Sequence, residues 1–224
     1  MTAGITRNLF QEACTMEDRE HMIEFRKNSR VQIGIIPGHY ATSHSHVNYY
    51  VDLTAVKTST KTAREAAKEL ASIFSATQVD TIICVEGTEI LGAFLADSLI
   101  QGGINVGADI SLVTPEINSN NQMLFRDNVQ KKIWNKSVLL LISSASTGKS
   151  INRAVECLQY YSGRLVGVGA IFSAIKEIHG MEVKSLFTEQ DLPSYINCLP
   201  VDCPMCKNGQ KVDALINSFG YSKL

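Results

Sequence analysis

Val138-Leu-Leu-Leu-Ile-Ser-Ser-Ala-Ser-Thr-Gly-Lys-Ser-Ile151 decides the fold. Its first five residues are continuously apolar, as expected of a strand buried on both faces in a parallel sheet. Ser143 to Lys149 is small and polar and reads as a turn, and Ser150 to Tyr161 carries Ile151, Ala154, Val155 and Leu158 on one helical face. The sequence outward from it repeats this grammar. Thr81 to Val85 is a short apolar strand closed by Glu86-Gly87-Thr88 and followed by an apolar helix over Ile90 to Ile100. Ile110 to Val113 and Leu165 to Phe172 read as further strands, and Tyr195 to Leu199 as a last one. Lys61 to Ala76 is an amphipathic helix, with Ala63, Ala66, Ala67, Leu70, Ile73 and Phe74 on one side. Strands alternating with helices predict an α/β, doubly wound, mostly parallel sheet, with ligands at the carboxyl ends of its strands.

The flanks differ. Residues 7 to 30 are charged, with scattered apolar positions, and predict one or two peripheral helices. Residues 31 to 56 are β-branched and aromatic around Pro37-Gly38, which predicts strands or a hairpin. Residues 116 to 132 form a polar stretch long enough for a functional lid. We read 1–224 as one domain, with an N-terminal segment at 1–56, a core at 57–200 and a tail at 201–224.

With 224 residues, 45% hydrophobic and 19% charged, the chain is neither disordered nor collagen-like. A net charge of −1 argues against generic nucleic-acid binding. No apolar run reaches the roughly 18–20 residues of a membrane span, and the N-terminus shows no apolar leader, so a cytoplasmic protein is expected. The six cysteines fit that compartment. Cys84 and Cys157 fall on apolar patterns and read as reduced core thiols. Cys203-Pro-Met-Cys206 is the one CxxC pair, whereas a structural zinc site normally has four ligands. Cys198, His44 and His46 would complete it only by coincidence of folding, so a plain C-terminal turn and no metal site are expected.

The Ser143–Ser150 turn opens a helix, and its small residues leave backbone N–H groups free to meet an anion. Ser144, Ala145, Ser146, Thr147, Gly148, Lys149 and Ser150 are the predicted phosphate-binding residues. The plainer alternative is a strand-to-helix turn capped by Ser146 or Thr147. A nucleotide P-loop matches at Gly148, Lys149 and Ser150, but Ser143 stands where its first glycine belongs, and Leu165 to Ala174 offers no carboxylate for Mg²⁺.

The whole pattern resembles the type I phosphoribosyltransferases, and among them the orotate type. Their signature is a hydrophobic strand, an acidic pair, then two threonines and a glycine before a helix, and Val138 to Ile151 lies on that frame. Gly38-His39-Tyr40, Ser43, His46 and Tyr50 are similar to the family's segment near the base pocket. Glu86-Gly87-Thr88 lies at its pyrophosphate loop, Leu124-Phe125-Arg126 at its flexible hood, and Cys203 to Gly209 resembles the tail of one orotate-type branch. The resemblance implies that phosphoribosyl pyrophosphate or a nucleotide binds, with Glu86, Gly87, Thr88, His46 and Tyr50 in the substrate site, Arg126 closing it and Ser143 at the ribose. It implies Mg²⁺ carried by the pyrophosphate, and a homodimer. The family's acidic pair falls on Ile142 and Ser143 here, which raises a non-catalytic phosphoribosyl pyrophosphate or nucleotide sensor as the alternative, ahead of a P-loop nucleoside triphosphatase.

Overall fold

A computed structural model describes residues 15–120 and 122–224. The chain opens with three antiparallel strands, β1 (His21–Phe25), β2 (Asn28–Ala41) and β3 (His46–Asp52), and two helices, α1 (Thr54–Thr58) and α2 (Thr60–Ile73). Next come β4 (Thr81–Cys84), α3 (Glu89–Ile100) and β5 (Ser111–Val113). A small ribbon follows, β6 (Glu116–Ile117) with β7 (Met123–Leu124), and a helical turn α4 (Asp127–Gln130). The second half holds β8 (Ser137–Ala145), α5 (Lys149–Tyr160), β9 (Arg164–Ser173), β10 (Glu177–Ile178) and β11 (Met181–Thr188). The last elements are β12 (Asn197–Cys198), α6 (Pro204–Lys207), β13 (Ala214–Asn217) and β14 (Gly220–Lys223).

The central sheet runs β10-β11-β9-β8-β4-β5, and every neighbouring pair is parallel except β10 with β11. Side-chain alternation divides its strands between two cores. Ile82, Cys84, Leu139 and Leu141 face one core with α2 and α3; Ile83, Val138, Leu140 and Ile142 face the other with Ile151, Ala154 and Leu158 of α5. This is the predicted doubly wound arrangement. The first core also takes Val31, Ile33 and Ile35 of β2, so the N-terminal sheet packs on the same helices as the central one.

Several expectations need correction. In the described part of residues 7–30 there is a short 3-10 turn at Glu17–Arg19 and then strand, not peripheral helices; the remainder of that stretch lies outside the described residues. Residues 31–56 do form the expected strands and hairpin, β2 with β3, and Pro37-Gly38 is not its turn. It lies within β2, where the register shifts between Pro37 and Tyr40, and the turn falls at Thr42–Ser45, closed by Thr42 Oγ1 on Ser45. Cys198 and its neighbour form only a two-residue strand, which pairs with β3 and not with the central sheet. The true fifth parallel strand is β11, unforeseen because its buried positions alternate with Glu182 and Lys184. Residues 201–224 hold α6, β13 and β14. β13 adds to β2 through Ala214–Tyr40 and Leu215–Ala41, in a sheet ordered β12-β3-β2-β13-β14.

α3 lies unusually close to the sheet. A Cβ at Gly92 would stand 2.3 Å from Cys84 Sγ. Gly92→Val should therefore destabilise the protein by about 1–3 kcal/mol, the usual cost of overpacking, read as a lower urea midpoint. An unchanged midpoint would mean that α3 can move away freely.

Candidate phosphoribosyl site

β8 ends at Ala145, and the chain turns through Ser146, Thr147 and Gly148 into α5. Gly148 takes φ +73° at the helix N-cap, and a Cβ there would meet Ile178 Cδ1 at 2.6 Å. The position thus excludes side chains by both backbone conformation and space. The first helical bond is Asn152 N–H to Gly148 C=O at 2.9 Å, so the N–H groups of the preceding turn have no intrahelical acceptor. They sit at the positive end of α5. This is a mechanism for anion binding that needs no particular side chain.

Opposite lies the end of β4. Glu86 and Gly87 both take left-handed backbone, φ +61° and +79°. For a glutamate this costs of order 1–3 kcal/mol. The turn carries the Glu86 carboxylate across to β8 and α5, where Oε2 accepts from Ser143 Oγ at 2.9 Å and Oε1 from Ser150 Oγ at 2.7 Å. Lys57 of α1 supports the turn from outside, its Nζ donating to the Ser218 carbonyl at 2.7 Å and the Glu86 carbonyl at 3.4 Å.

These elements border a cavity of about 910 Å³. Ser144 through Ser150 line one end with Glu86 and Gly87; Tyr49, Tyr50, Phe172, Tyr195 and Phe219 bring aromatic surface. The β2–β3 turn contributes Thr42, Ser43 and His44, the β6–β7 ribbon Ile117 and Met123. Burial pushes the Tyr50 and Tyr195 phenols up to about 12, so both remain hydrogen-bond donors at neutral pH. The cavity thus offers a helix N-terminus with N–H groups lacking intrahelical acceptors, the Glu86 carboxylate as an acceptor, and an aromatic wall.

The predicted residues divide. Ser144, Ala145, Ser146, Thr147, Gly148, Lys149, Ser150, Glu86, Gly87 and Tyr50 all line the cavity. Ser143 is 1% exposed and reaches the site only through Glu86. Thr88 is buried beneath it, its hydroxyl donating to the Val85 and Leu141 carbonyls, and so ties β4 to β8. Arg126 is not brought to the cavity. Its guanidinium is bidentate on Glu116, at 2.8 and 2.6 Å, in an exposed pair. His46 also points elsewhere, to His39 and the Cys203–Cys206 turn. Lys57, Tyr195 and residues 215–219 were missed. Nothing in local sequence marks them, because each arrives by long-range packing.

No protein-family profile matches the chain. An orotate phosphoribosyltransferase of Chlorobium phaeobacteroides is 24% identical over 183 residues, 80% of this chain and 88% of that protein. Among solved structures, an orotate phosphoribosyltransferase of Mycobacterium tuberculosis in complex with Fe(III) dicitrate superposes with a TM-score of 0.50 at 15% identity, covering 70% of this chain and 91% of that one. An adenine phosphoribosyltransferase of Thermoanaerobacter pseudethanolicus reaches 0.49 at 14% identity, covering 77% and 97%. The likeness first read in the strand, turn and helix of Val138–Ile151 thus extends over most of the molecule: this chain has the type I phosphoribosyltransferase fold and is similar in sequence to an orotate member of that family.

Proposed function

We propose that this chain binds phosphoribosyl pyrophosphate and transfers its phosphoribosyl group to a nucleobase of the orotate class. The observation that carries this reading is the Glu86 carboxylate, suspended by Ser143 and Ser150 beside the phosphate-binding turn. A phosphate is recognised by N–H donors, while a vicinal diol is recognised by an acceptor. Both kinds of group occur together here, at the spacing of strand ends in one sheet. The 5′-phosphate takes the Ser144–Ser150 turn, the ribose hydroxyls face Glu86, and the base lies against the tyrosines.

In the transfer, the bond from ribose C1 to pyrophosphate breaks and a bond from C1 to a base nitrogen forms. Positive charge grows on the sugar ring between these events. Glu86 is the carboxylate of this chain that stands in for the acidic pair replaced by Ile142 and Ser143, and it stabilises that charge electrostatically. Mg²⁺ would supply charge neutralisation on the departing pyrophosphate. Glu86 and Glu89 are oxygen donors suited to such a hard cation and would hold it together with the ligand's phosphates. The second reading, a sensor that binds without turnover, is favoured by one observation: Ile142 occupies the cavity wall where a carboxylate would be needed.

Calorimetric titration with phosphoribosyl pyrophosphate, followed by pyrophosphate release with orotate or adenine, separates the two. Binding without release supports the sensor; absence of binding overturns both. Gly148→Val should weaken every phosphorylated ligand at least tenfold. Glu86→Gln should slow transfer by about 10²–10³, the usual effect of losing one preorganised electrostatic contact, with inorganic phosphate affinity retained. Arg126 can close on pyrophosphate only by leaving Glu116, so Glu116→Gln should tighten phosphoribosyl pyrophosphate severalfold, and adding Arg126→Ala should abolish that gain. Equal affinities in all three proteins would remove Arg126 from the site.

A further inference from the structure

We propose that His39, His46, Cys203 and Cys206 form a structural zinc site that fastens the C-terminal segment to the first sheet. The ligand atoms of these four residues all lie within 4.8 Å of one another. His39 Nε2 stands 2.9 Å from His46 Nδ1, 3.5 Å from Cys203 Sγ and 3.6 Å from Cys206 Sγ, and Cys206 Sγ lies 3.3 Å from His46 Nδ1. Tetrahedral zinc, with bonds of about 2.0 Å to nitrogen and 2.3 Å to sulfur, requires N···N near 3.3 Å and N···S near 3.5 Å. The observed spacings differ from these by a few tenths of an ångström for N···N and less for N···S.

The surroundings fit a metal better than a hydrogen-bonded cluster. His39 and Cys203 are fully buried. His39 Nδ1 lies 2.9 Å from the Gln210 carbonyl; donating there leaves the Nε2 lone pair facing the other three residues. Such a second partner is what orients a metal-bound imidazole. The His39 backbone is held on both sides by Asp213, which accepts from His39 N–H and donates its own N–H to the His39 carbonyl, each at 2.7 Å. Two thiolates and two neutral imidazoles around Zn²⁺ sum to zero charge, the condition under which a divalent ion can be buried without a net penalty of charge. Two sulfur and two nitrogen donors select zinc over magnesium or calcium. None of the four residues lines the cavity, and four protein ligands leave no open position, so the site is structural.

Its consequence reaches the cavity nonetheless. The turn between the two histidines supplies Thr42, Ser43 and His44 to the cavity wall, and the chain beyond Cys206 runs into β13 and supplies Leu215 to Phe219. One ion thus holds both segments in place. The proposal is independent of the phosphoribosyl reading.

Full-length protein purified under a non-thiol reductant and without chelator should contain about one zinc per chain by elemental mass spectrometry, in keeping with a closed four-ligand site. Cobalt reconstitution should give the intense visible bands of tetrahedral Co²⁺ with thiolate charge transfer. Cys206→Ser, at an exposed position that should fold, and His46→Ala should each weaken zinc binding at least tenfold; Cys198→Ser, whose thiol touches the His46 carbonyl and the Cys203 thiol but stands outside the donor set, should retain it. Chelator should lower the melting temperature of the wild type but not of Cys206→Ser, since only a ligand bound to the folded state stabilises it. Octahedral cobalt spectra, zinc affinity unchanged in Cys206→Ser, or zinc loss in Cys198→Ser would each overturn the assignment.

Discussion

Strand β8 is buried along its length, and the rest of the structure depends on that burial. Leu139 and Leu141 cannot face the same side as Leu140 and Ile142, so the strand demands apolar cover above and below. α2 and α3 with the N-terminal sheet provide one cover, α5 the other. A strand pinned in this way runs on past its last apolar residue: β8 stays paired with β9 through Ser144 and Ala145, so the turn is Ser146–Gly148 and not the whole of Ser143–Lys149. The turn after Ala145 therefore emerges at a fixed point, and α5 is aimed by the same packing that buries Ile151, Ala154 and Leu158.

One point of backbone strain lies where β4 and β8 end side by side. Glu86 adopts a backbone conformation that glycine would take at less cost, and in return its carboxylate meets Ser143 and Ser150. Lys57 and Thr88 brace this turn from two sides. Rigid strand ends and a braced turn provide preorganisation, which electrostatic stabilisation of a charged intermediate requires. The hood is built differently. It is a ribbon of two two-residue strands joined through Asn118 and Gln122, with an exposed ion pair between Glu116 and Arg126, an interaction usually worth under about 1 kcal/mol. It can rearrange at little cost, whereas the sheet cannot.

The C-terminal segment shows how far separated residues are made neighbours. β13 pairs with Tyr40 and Ala41, the Asp213 side chain locks His39, and the Cys203–Cys206 turn arrives against the two histidines. The same closure sets Phe219 at the mouth of the cavity and brings the Ser218 carbonyl onto Lys57. Phe219, one of the five aromatic residues of the wall, thus depends on contacts spanning most of the chain.

Local sequence determined the parallel strands β4, β5, β8 and β9, the β2–β3 hairpin, the helices α2, α3 and α5, and the small-residue turn between β8 and α5. All rest on periodicity, apolar runs and small residues read over a dozen positions, where the physics is itself local. Tertiary structure alone decided the rest. β11 hides its strand character among charges because its edge faces are half exposed, and β13 gains its place only from β2. Ser143 looks like a lost carboxylate until Glu86, 57 residues away in the chain, is seen to reach it. Arg126 carries the right charge for the site, yet its nearest carboxylate is on its own ribbon. His39 and His46 are seven residues apart and Cys203 is 164 residues beyond His39; no spacing rule joins such pairs, since a metal-like cluster is a property of the closed sheet and not of either segment.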